Sequence, residues 1–500
     1  MKTYIKKLFI LPGLAAVLGL LTAGRVLGQS FTNLYNFTAR SDASPFTNSD
    51  GAYPSSALVL SGNTLYGLAG DGGSAGNGTV FAINTDGTGF TNLYSFTPSS
   101  GAISSNSDGA NPFASLILSD DTLYGTAFDG GSAGYGTVFA INTTGTGFTN
   151  LHTFTGAAEG GGKADSSLVL SGNALYGTAE LGGNSGNGMV FKVNTDGTGF
   201  TNLHGFTGGA GGSFPQAGLI LSGSTLYGTA GFGGRGGNGG NGTVFSIKTD
   251  GTGFTNFYRF TGSNDGSYPQ AGLILSGSTL YGTAEFGGSN YGSAGYGTVF
   301  AVNTNGTPFA VLHTFTATDP ETLANSDGAN PSASLFLSGN TLYGTAFDGG
   351  SAGSGTVFAV NTNGTDFTNL HSFTGGRGGS GPQAAVILSG NALYGTAEFD
   401  GSGESGTVFR LSLGPLGPLG APQPYILEIN ASGTNLVINA SDGQSGETYK
   451  TLVSTNLGLP LSQWKPLATN VLNASGDFTI TLTNTVNRNA PQLFYVLQVQ

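Results

Sequence analysis

Acidic residues recur at a nearly fixed distance from a repeated tripeptide, and they are the first candidates for chemistry. Leu-Tyr-Gly occurs seven times, with its tyrosine at Tyr66, Tyr124, Tyr176, Tyr227, Tyr281, Tyr343 and Tyr394. An acid follows four or five residues later in six copies, at Asp71, Asp129, Glu180, Glu285, Asp348 and Glu398. Such carboxylates could bind Ca²⁺ or sugar hydroxyls, since hard cations favour oxygen ligands. The alternative is that they only keep glycine-rich loops soluble.

Aromatic residues in the connecting segments form a second set of candidates: Tyr53, Phe113, Phe214, Tyr268 and Tyr291. They could stack on sugar rings or pack beneath the loops, and Tyr53 and Tyr268 join the six acids as predicted ligand-binding residues. A glycosidase would need one pair of carboxylates about 5–10 Å apart. The acids follow the repeat instead, whereas an active site normally breaks symmetry at one place, so no catalytic residue is predicted.

The histidines share one position of the repeat, at His152, His204, His313 and His371, where Tyr35, Tyr94 and Tyr258 stand in other copies. A ring of histidines could bind metal. The exchange with tyrosine favours an aromatic packing position with a polar tip. A second set of acids, Asp50, Asp108, Asp265 and Asp327, lies next to glycine, which is foremost a turn signal. No cofactor is therefore predicted beyond the possible Ca²⁺, and the identity of any metal is left open.

Each Leu-Tyr-Gly lies in a unit of four short predicted strands, as residues 166–206 illustrate. Strand a is Leu-Val-Leu, strand b is Leu-Tyr-Gly-Thr-Ala, strand c is typically Gly-Thr-Val-Phe-x-Ile/Val, and strand d begins Phe-Thr-Asn-Leu. These runs are rich in β-branched and aromatic residues and are separated by Ser-Gly-Asn or Asp-Gly turns. The pattern is typical of hairpins rather than helices.

Both faces of these sheets must be covered. In the first strand c, Phe81 and Ile83 point to one face and Val80 and Ala82 to the other, because strand side chains alternate. Blades packed between two neighbours meet this requirement, and seven four-stranded units predict an all-β, seven-bladed β-propeller. A parallel β-solenoid is the alternative.

The chain ends favour a closed ring. A strand d begins at Phe31, before the first strand a, and none follows the last strand c at Phe409. The N-terminal strand is therefore predicted to complete the seventh blade and to cover its open edge.

Spacing predicts where the variable surface lies. The distance from strand a to strand b is 6 residues in all units, whereas the b–c distance ranges from 15 to 19. Connections in an antiparallel meander alternate between the two ends of the sheet. The b–c and d–a connections therefore share one end of the propeller, here called the loop face, and the a–b and c–d turns form the opposite turn face. Binding is expected on the loop face, because a rigid scaffold presents variable loops.

The unit Leu-Tyr-Gly-Thr-x-x-x-Gly-Gly…Gly-Thr-Val-Phe-x-Ile/Val-Asn-Thr resembles the GloVer tandem repeat of exported bacterial proteins with varied surface anchors, over roughly residues 31–411. The resemblance implies export and a repeat-built domain, and it implies no established chemistry. The layout is also similar to kelch repeats, which supports the propeller, although fold alone does not give function.

Four segments are predicted along the chain. Residues 1–28 resemble a signal peptide, with lysines before a short apolar stretch and small residues before Gln29. A membrane anchor is the alternative, but the stretch is shorter than the ~20 residues of a spanning helix. Residues 29–412 are the propeller and 413–424 a Pro/Gly linker. Residues 425–500 have the alternating pattern of a small β-sandwich and resemble C-terminal modules of exported bacterial proteins.

Composition narrows the function. The 500 residues include 90 glycines, no cysteine, 27 acids and 15 Lys or Arg, for a net charge of −12. This excludes disulfides and thiolate metal sites and argues against nucleic acid as a partner. We expect a secreted or cell-surface, non-enzymatic protein without a transmembrane span in the mature chain, which binds extracellular polysaccharide or a cell-surface protein. The alternatives are a polysaccharide-active hydrolase or lyase using loop-face carboxylates, and a structural component of the envelope or matrix.

Overall fold

The computed structural model describes residues 29–101, 103–156, 160–234, 240–288 and 295–413, together with six strands between 425 and 499. The predicted signal peptide, linker residues 414–424 and Tyr291 lie outside the described residues. The chain divides into two compact units, of which one is Phe31–Leu411 and the other contains Ser412–Gln500.

The first unit consists of seven four-stranded antiparallel sheets, which confirms the predicted seven-bladed β-propeller. Its strands in chain order are β1 (Ser30–Asn36); β2 (Val59–Ser61), β3 (Thr64–Ala69), β4 (Thr79–Asn84), β5 (Thr91–Ser95); β6 (Ile117–Ser119), β7 (Thr122–Ala127), β8 (Thr137–Asn142), β9 (Thr149–Thr153); β10 (Val169–Ser171), β11 (Ala174–Ala179), β12 (Met189–Asn194), β13 (Thr201–Gly205); β14 (Ile220–Ser222), β15 (Thr225–Ala230), β16 (Thr243–Lys248), β17 (Thr255–Arg259); β18 (Ile274–Ser276), β19 (Thr279–Ala284), β20 (Thr298–Asn303), β21 (Phe309–Thr314); β22 (Phe336–Ser338), β23 (Thr341–Ala346), β24 (Thr356–Asn361), β25 (Thr368–Ser372); β26 (Ile387–Ser389), β27 (Ala392–Ala397) and β28 (Thr407–Ser412). Two 3-10 turns lie at Gly209–Gly211 and Gly376–Gly378.

The propeller closes through its N-terminal strand. The seventh sheet has the order β1-β28-β27-β26, so β1 is its outer strand. Phe37 is fully buried in one hydrophobic cluster with Leu58 and Phe81 of the first blade and Val408 of the seventh. The ring closure predicted from the chain ends is confirmed, and the open solenoid is wrong.

The cores lie between neighbouring blades. Phe81 is fully buried, and its ring lies against Gly67, the glycine of the first Leu-Tyr-Gly. A Cβ on Gly67 would lie 2.5 Å from Cζ of Phe81 and 2.9 Å from Cδ2 of Leu58. The tripeptide therefore recurs because the phenylalanine of strand c must approach the backbone of strand b at this glycine. The equivalent glycines of the other blades contact their phenylalanines in the same way.

Stacked aromatic pairs join the outer strands around the ring. The first ring of each pair belongs to the outer strand of one blade and the second lies at the start of the next outer strand: Tyr35–Phe90, Tyr94–Phe148, His152–Phe200, His204–Phe254, Tyr258–Phe309, His313–Phe367 and His371–Phe31. Centroid distances run from 3.5 Å for His204 to 4.1 Å for Tyr94. The histidines occupy a packing position, as the exchange with tyrosine predicted.

Three of these histidines should make the fold sensitive to acid. Burial lowers the pKa of His152, His204 and His371 to about 4. Between about pH 6.5 and pH 4 the unfolded chain binds protons that the folded chain does not, so stability falls as the pH falls. His204→Phe keeps the stack on Phe254 and cannot ionise, so its melting temperature should fall less than that of the parent between about pH 7 and pH 4.5.

His313 supplies a contrast. Its Nε2 lies 3.0 Å from Oδ2 of Asp327, which also accepts a hydrogen bond from the backbone N–H of Thr316. His313→Phe would leave the buried carboxylate short of a partner and should lower the melting temperature already at neutral pH. Equal acid sensitivity in His204→Phe and the parent would contradict the assignment of this effect to buried histidines.

The second unit contains six strands, β29 (Tyr425–Ser432), β30 (Asn435–Ser441), β31 (Thr448–Ser454), β32 (Lys465–Val471), β33 (Phe478–Leu482) and β34 (Phe494–Val499). They form two three-stranded antiparallel sheets, β29-β30-β33 and β32-β31-β34, as expected of a small β-sandwich. Neither unit contains, in its described residues, a helix with the length and apolar character needed to cross a membrane.

Candidate functional site at the channel mouth

A cavity of about 320 Å³ lies at the propeller axis, since all seven blades contribute to its lining. Except for Glu398, which follows strand b of the seventh blade, the lining residues lie just before strand a, which is therefore the innermost strand. One position of the repeat supplies Ser55, Phe113, Asp165, Gln216, Gln270, Ser332 and Gln383. Isolated bridges such as Ala52 to Asp71 join the start of strand a to the end of strand b, so this end of the channel opens on the loop face.

The residues two positions earlier all adopt positive φ. They are Tyr53 (φ 59°), Asn111 (52°), Lys163 (57°), Phe214 (53°), Tyr268 (57°), Asn330 (56°) and Gly381 (62°). Only the last is glycine, and each non-glycine residue in this region costs on the order of 1–3 kcal/mol. The surrounding bridges hold this conformation in every blade. The repeated strain places six side chains around the channel mouth in a defined direction.

Several of these residues reach the acid region of the preceding blade. Asn111 donates from Nδ2 to Oδ1 of Asp71 at 2.8 Å. Lys163 forms an ion pair with Asp129 and its Nζ lies 4.6 Å from the ring centroid of Phe128. The left-handed position therefore supplies partners to two of the acids that the sequence singled out, a hydrogen-bond donor to Asp71 and a positive charge to Asp129.

Arg40 forms an ion pair with Asp71 and also contacts Tyr53. Its Nη1 donates to Oδ2 of Asp71 at 2.8 Å and its Nη2 donates to the hydroxyl of Tyr53 at 2.6 Å. The guanidinium carbon also lies 4.3 Å from the centroid of the Tyr53 ring. Tyr53, a predicted ligand residue, thus has its hydroxyl and one ring face occupied by Arg40. Asp71 and Asp129 are the two predicted acids with a cationic partner.

The three glutamates among the predicted ligand residues have a different kind of partner. Each accepts a hydrogen bond from a channel-lining glutamine. Gln216 Nε2 donates to Glu180 at 2.6 Å and Gln270 Nε2 donates to Glu285 at 2.5 Å. Gln383 makes the corresponding hydrogen bond with Glu398. The pattern Pro-Gln-Ala, visible at 215–217, 269–271 and 382–384, was the sequence signal for these glutamines.

Asp165 is the lining residue that the sequence analysis missed. It is the one charged member of its repeat position, and it is partly buried in the cavity wall. Burial, and then the negative charges of Glu180 and Glu398, raise its pKa to about 8. Since Glu398 belongs to the seventh blade and Asp165 to the third, the interaction crosses the channel. A charge replacing Ser, Phe or Gln at one position of one repeat was the signal that could have identified it.

The other loop-face acids also retain protons more readily than usual. Burial and the charge of Asp348 raise the pKa of Glu285 to about 7, while burial and the charge of Asp71 raise that of Glu398 to about 7. Burial likewise raises the pKa of Glu180 and that of Asp348. The structure thus brings the candidates together as pairs, Glu398 with Asp71 and Glu285 with Asp348, rather than as one even ring.

Tyr268 links the channel to a second, more apolar pocket of about 240 Å³, which Phe232 and Phe286 also line. The Tyr268 ring lies 4.7 Å from Phe232 and 5.9 Å from Phe286, measured between centroids. Its hydroxyl donates to Oε1 of Gln216 at 3.1 Å. Phe232 is 36% exposed, so an aromatic surface lies beside the polar channel mouth.

The second set of acids, those that lie next to glycine, has a structural role. The Tyr35 hydroxyl donates to Oδ2 of Asp50 at 2.8 Å, and the Thr38 backbone N–H donates to the same oxygen at 2.9 Å. Asp108, Asp265 and Asp327 repeat this arrangement with Tyr94, Tyr258 and His313. Among the described residues, no group of three His, Asp or Glu side chains is arranged to hold a metal ion. The possible Ca²⁺ site gains no support from this geometry.

The fold and this site define a repeat-built, seven-bladed propeller with a polar channel mouth. Residues 101–291 and 292–417 match the Gloeobacter/Verrucomicrobia repeat, which covers more than half of the chain, and the protein belongs to this family. The resemblance drawn from the Leu-Tyr-Gly unit is confirmed. No curated protein is detectably similar in sequence.

Solved propellers resemble the chain at low identity. An oligogalacturonate lyase in complex with manganese is 11% identical with a TM-score of 0.47, covering 77% of this chain and 97% of that chain. The Niastella koreensis GH74 enzyme is 15% identical with a TM-score of 0.45, covering 83% of this chain and 60% of that chain. A Mycobacterium tuberculosis puromycin-hydrolyzing peptidase is 12% identical with a TM-score of 0.47, covering 79% and 61%. These likenesses assign no activity or ligand to this protein.

Proposed function

We propose that this protein is an exported, non-enzymatic adhesion or binding protein that takes a glycan on the loop face. The observation that carries the proposal is the junction at Tyr268, where an aromatic pocket meets the polar cavity through the hydrogen bond to Gln216. Glycans present both apolar C–H faces and hydroxyl groups, so they suit a site with a few polar groups beside aromatic rings. The signal-like residues 1–28 support export to the cell surface or medium.

A glycan array followed by titration of the best ligand tests this proposal. Phe232→Ala should weaken binding about twofold to tenfold, since one aromatic contact contributes about 0.5–1.5 kcal/mol. Val311→Ala is the matched control, because Val311 is 37% exposed but lies on β21, an outer strand. A Phe232→Ala variant that binds as tightly as the parent would remove the aromatic pocket from the site.

A polysaccharide-active hydrolase or lyase remains the second candidate, and Asp165 is the observation that favours it. This residue breaks the repeat symmetry, and a carboxyl group that keeps its proton near neutral pH is suited to general acid catalysis. Release of reducing ends from a bound polysaccharide, abolished in Asp165→Asn, would establish the enzyme. If the polysaccharide binds but no reducing ends are released at any pH between about 5 and 8, the enzyme is contradicted and the binding protein is favoured.

A further inference from the structure

The channel mouth has an excess of carboxyl groups that its own residues do not balance. Asp165 of the third blade and Glu398 of the seventh both line the cavity, and the negative charges of Glu180 and Glu398 help to raise the pKa of Asp165. The cavity lining contains two acids, Asp165 and Glu398, and no Lys or Arg among its described residues. The two cations nearby are already engaged, because Arg40 is bound to Asp71 and Lys163 to Asp129.

Unpartnered acceptors accompany this charge. Oε2 of Glu398 is buried and has no hydrogen-bond partner within the described part of the chain. The carboxyl group of Asp165 lines the cavity and makes no hydrogen bond to any described residue. A buried acceptor without a donor is costly, and a ligand that brings donors would remove that cost.

The geometry points to an ammonium group as the ligand of this cavity: we propose that the channel mouth binds the primary amine of an amino sugar, between Asp165 and Glu398. An ammonium offers three donors and one positive charge on a compact group. It therefore satisfies separate acceptors on opposite sides of the channel and relieves the repulsion between them. A neutral sugar would supply donors but leave the repulsion in place. This inference rests on the proposed glycan-binding function and specifies the chemical class of the glycan.

Two trisaccharides that differ only at the amine provide the test: a trimer of glucosamine and its fully N-acetylated counterpart. The glucosamine trimer should bind at least about tenfold more tightly at about pH 6, where its amines are charged, since charge-assisted hydrogen bonds are the stronger ones. Asp165→Asn and Glu398→Gln should each weaken binding of the glucosamine trimer about tenfold or more and leave the N-acetylated trimer nearly unaffected.

Asp196→Asn is the matched control, because it makes the same change of net charge in the exposed turn that joins β12 to β13 on the turn face. Calorimetry in buffers of different ionisation enthalpy adds a second readout. A bound ammonium favours the charged forms of Asp165 and Glu398, so binding should release protons to the buffer, and Asp165→Asn and Glu398→Gln should each reduce this release. Thermal melting of each variant verifies that it is folded.

The outcomes separate this inference from the function on which it rests. Equal affinity for the two trisaccharides, or unchanged affinity in Asp165→Asn, overturns the ammonium site while glycan binding stands. No binding of the glucosamine trimer also overturns it. If in addition no glycan on the array binds, the proposed function fails with it. Preference for the amine that is lost in both carboxyl variants and kept in Asp196→Asn supports the site.

Discussion

Replacing Phe37 with alanine is expected to lower the free energy of unfolding by about 3–5 kcal/mol, although the residue lies near the start of the propeller. Phe37 is fully buried and meets Phe81 of the first blade edge-on at a centroid distance of 5.3 Å. Its backbone N–H donates to the carbonyl oxygen of Gly406 at the start of β28. The residue thus fills the core between the last and first blades, and alanine would leave a cavity at the closure of the ring.

Phe206→Ala is the matched comparison. Phe206 is also fully buried and meets Phe245 edge-on at 5.2 Å, but it lies in the middle of the chain. Urea unfolding should give both variants a similar loss of stability if the closing blade is packed like the others. A loss below about 1 kcal/mol in Phe37→Ala beside a full loss in Phe206→Ala would show that the N-terminal strand does not close the propeller.

The blade number and the closure could be predicted because both depend on period and on chain ends. Strand order follows from counting strand d motifs, with one before the first Leu-Tyr-Gly and none after Phe409. The apolar content of both strand faces, as at Phe81 and Val80, required neighbours on two sides. These features repeat seven times, so an error in any one unit would not change the architecture.

The candidate site was predicted only in part, because spacing does not show which strand is innermost. The acids near Leu-Tyr-Gly drew attention to the b–c loops, but only Glu398 of these acids is among the described lining residues, and the other lining residues lie before strand a, including Asp165 and Gln216. The ion pair of Asp71 depends on Arg40, which lies in a d–a loop whose course follows from tertiary contacts. The predictions followed residues that repeat, so Asp165, which departs from the repeat, was not predicted.

The channel carboxyls should make the protein less stable as the pH rises from about 6.5 to 8, which is the reverse of the usual behaviour of paired acids. The unfolded chain releases the proton of Asp165 near its ordinary pKa of 3.8, while the folded chain keeps it to about 8. The unfolded state binds fewer protons throughout this interval, so the free energy of unfolding falls with rising pH. Glu285 and Glu398, with a pKa of about 7, act in the same direction.

The three histidines do not change the stability between pH 6.5 and 8, because their effect on stability lies between their folded pKa of about 4 and the ordinary value of 6.5. Asp165→Asn removes the titrating group while retaining the side-chain volume. It should raise the free energy of unfolding at about pH 8 by several kcal/mol, since a rise of the pKa from 3.8 to about 8 corresponds to about 5 kcal/mol, and have little effect at about pH 4. Urea unfolding across this range measures the slope, and Asp196→Asn should leave it unchanged. A parent whose stability rises between pH 6.5 and 8 would mean that the channel carboxyls are solvated and already ionised, so that burial does not raise their pKa values.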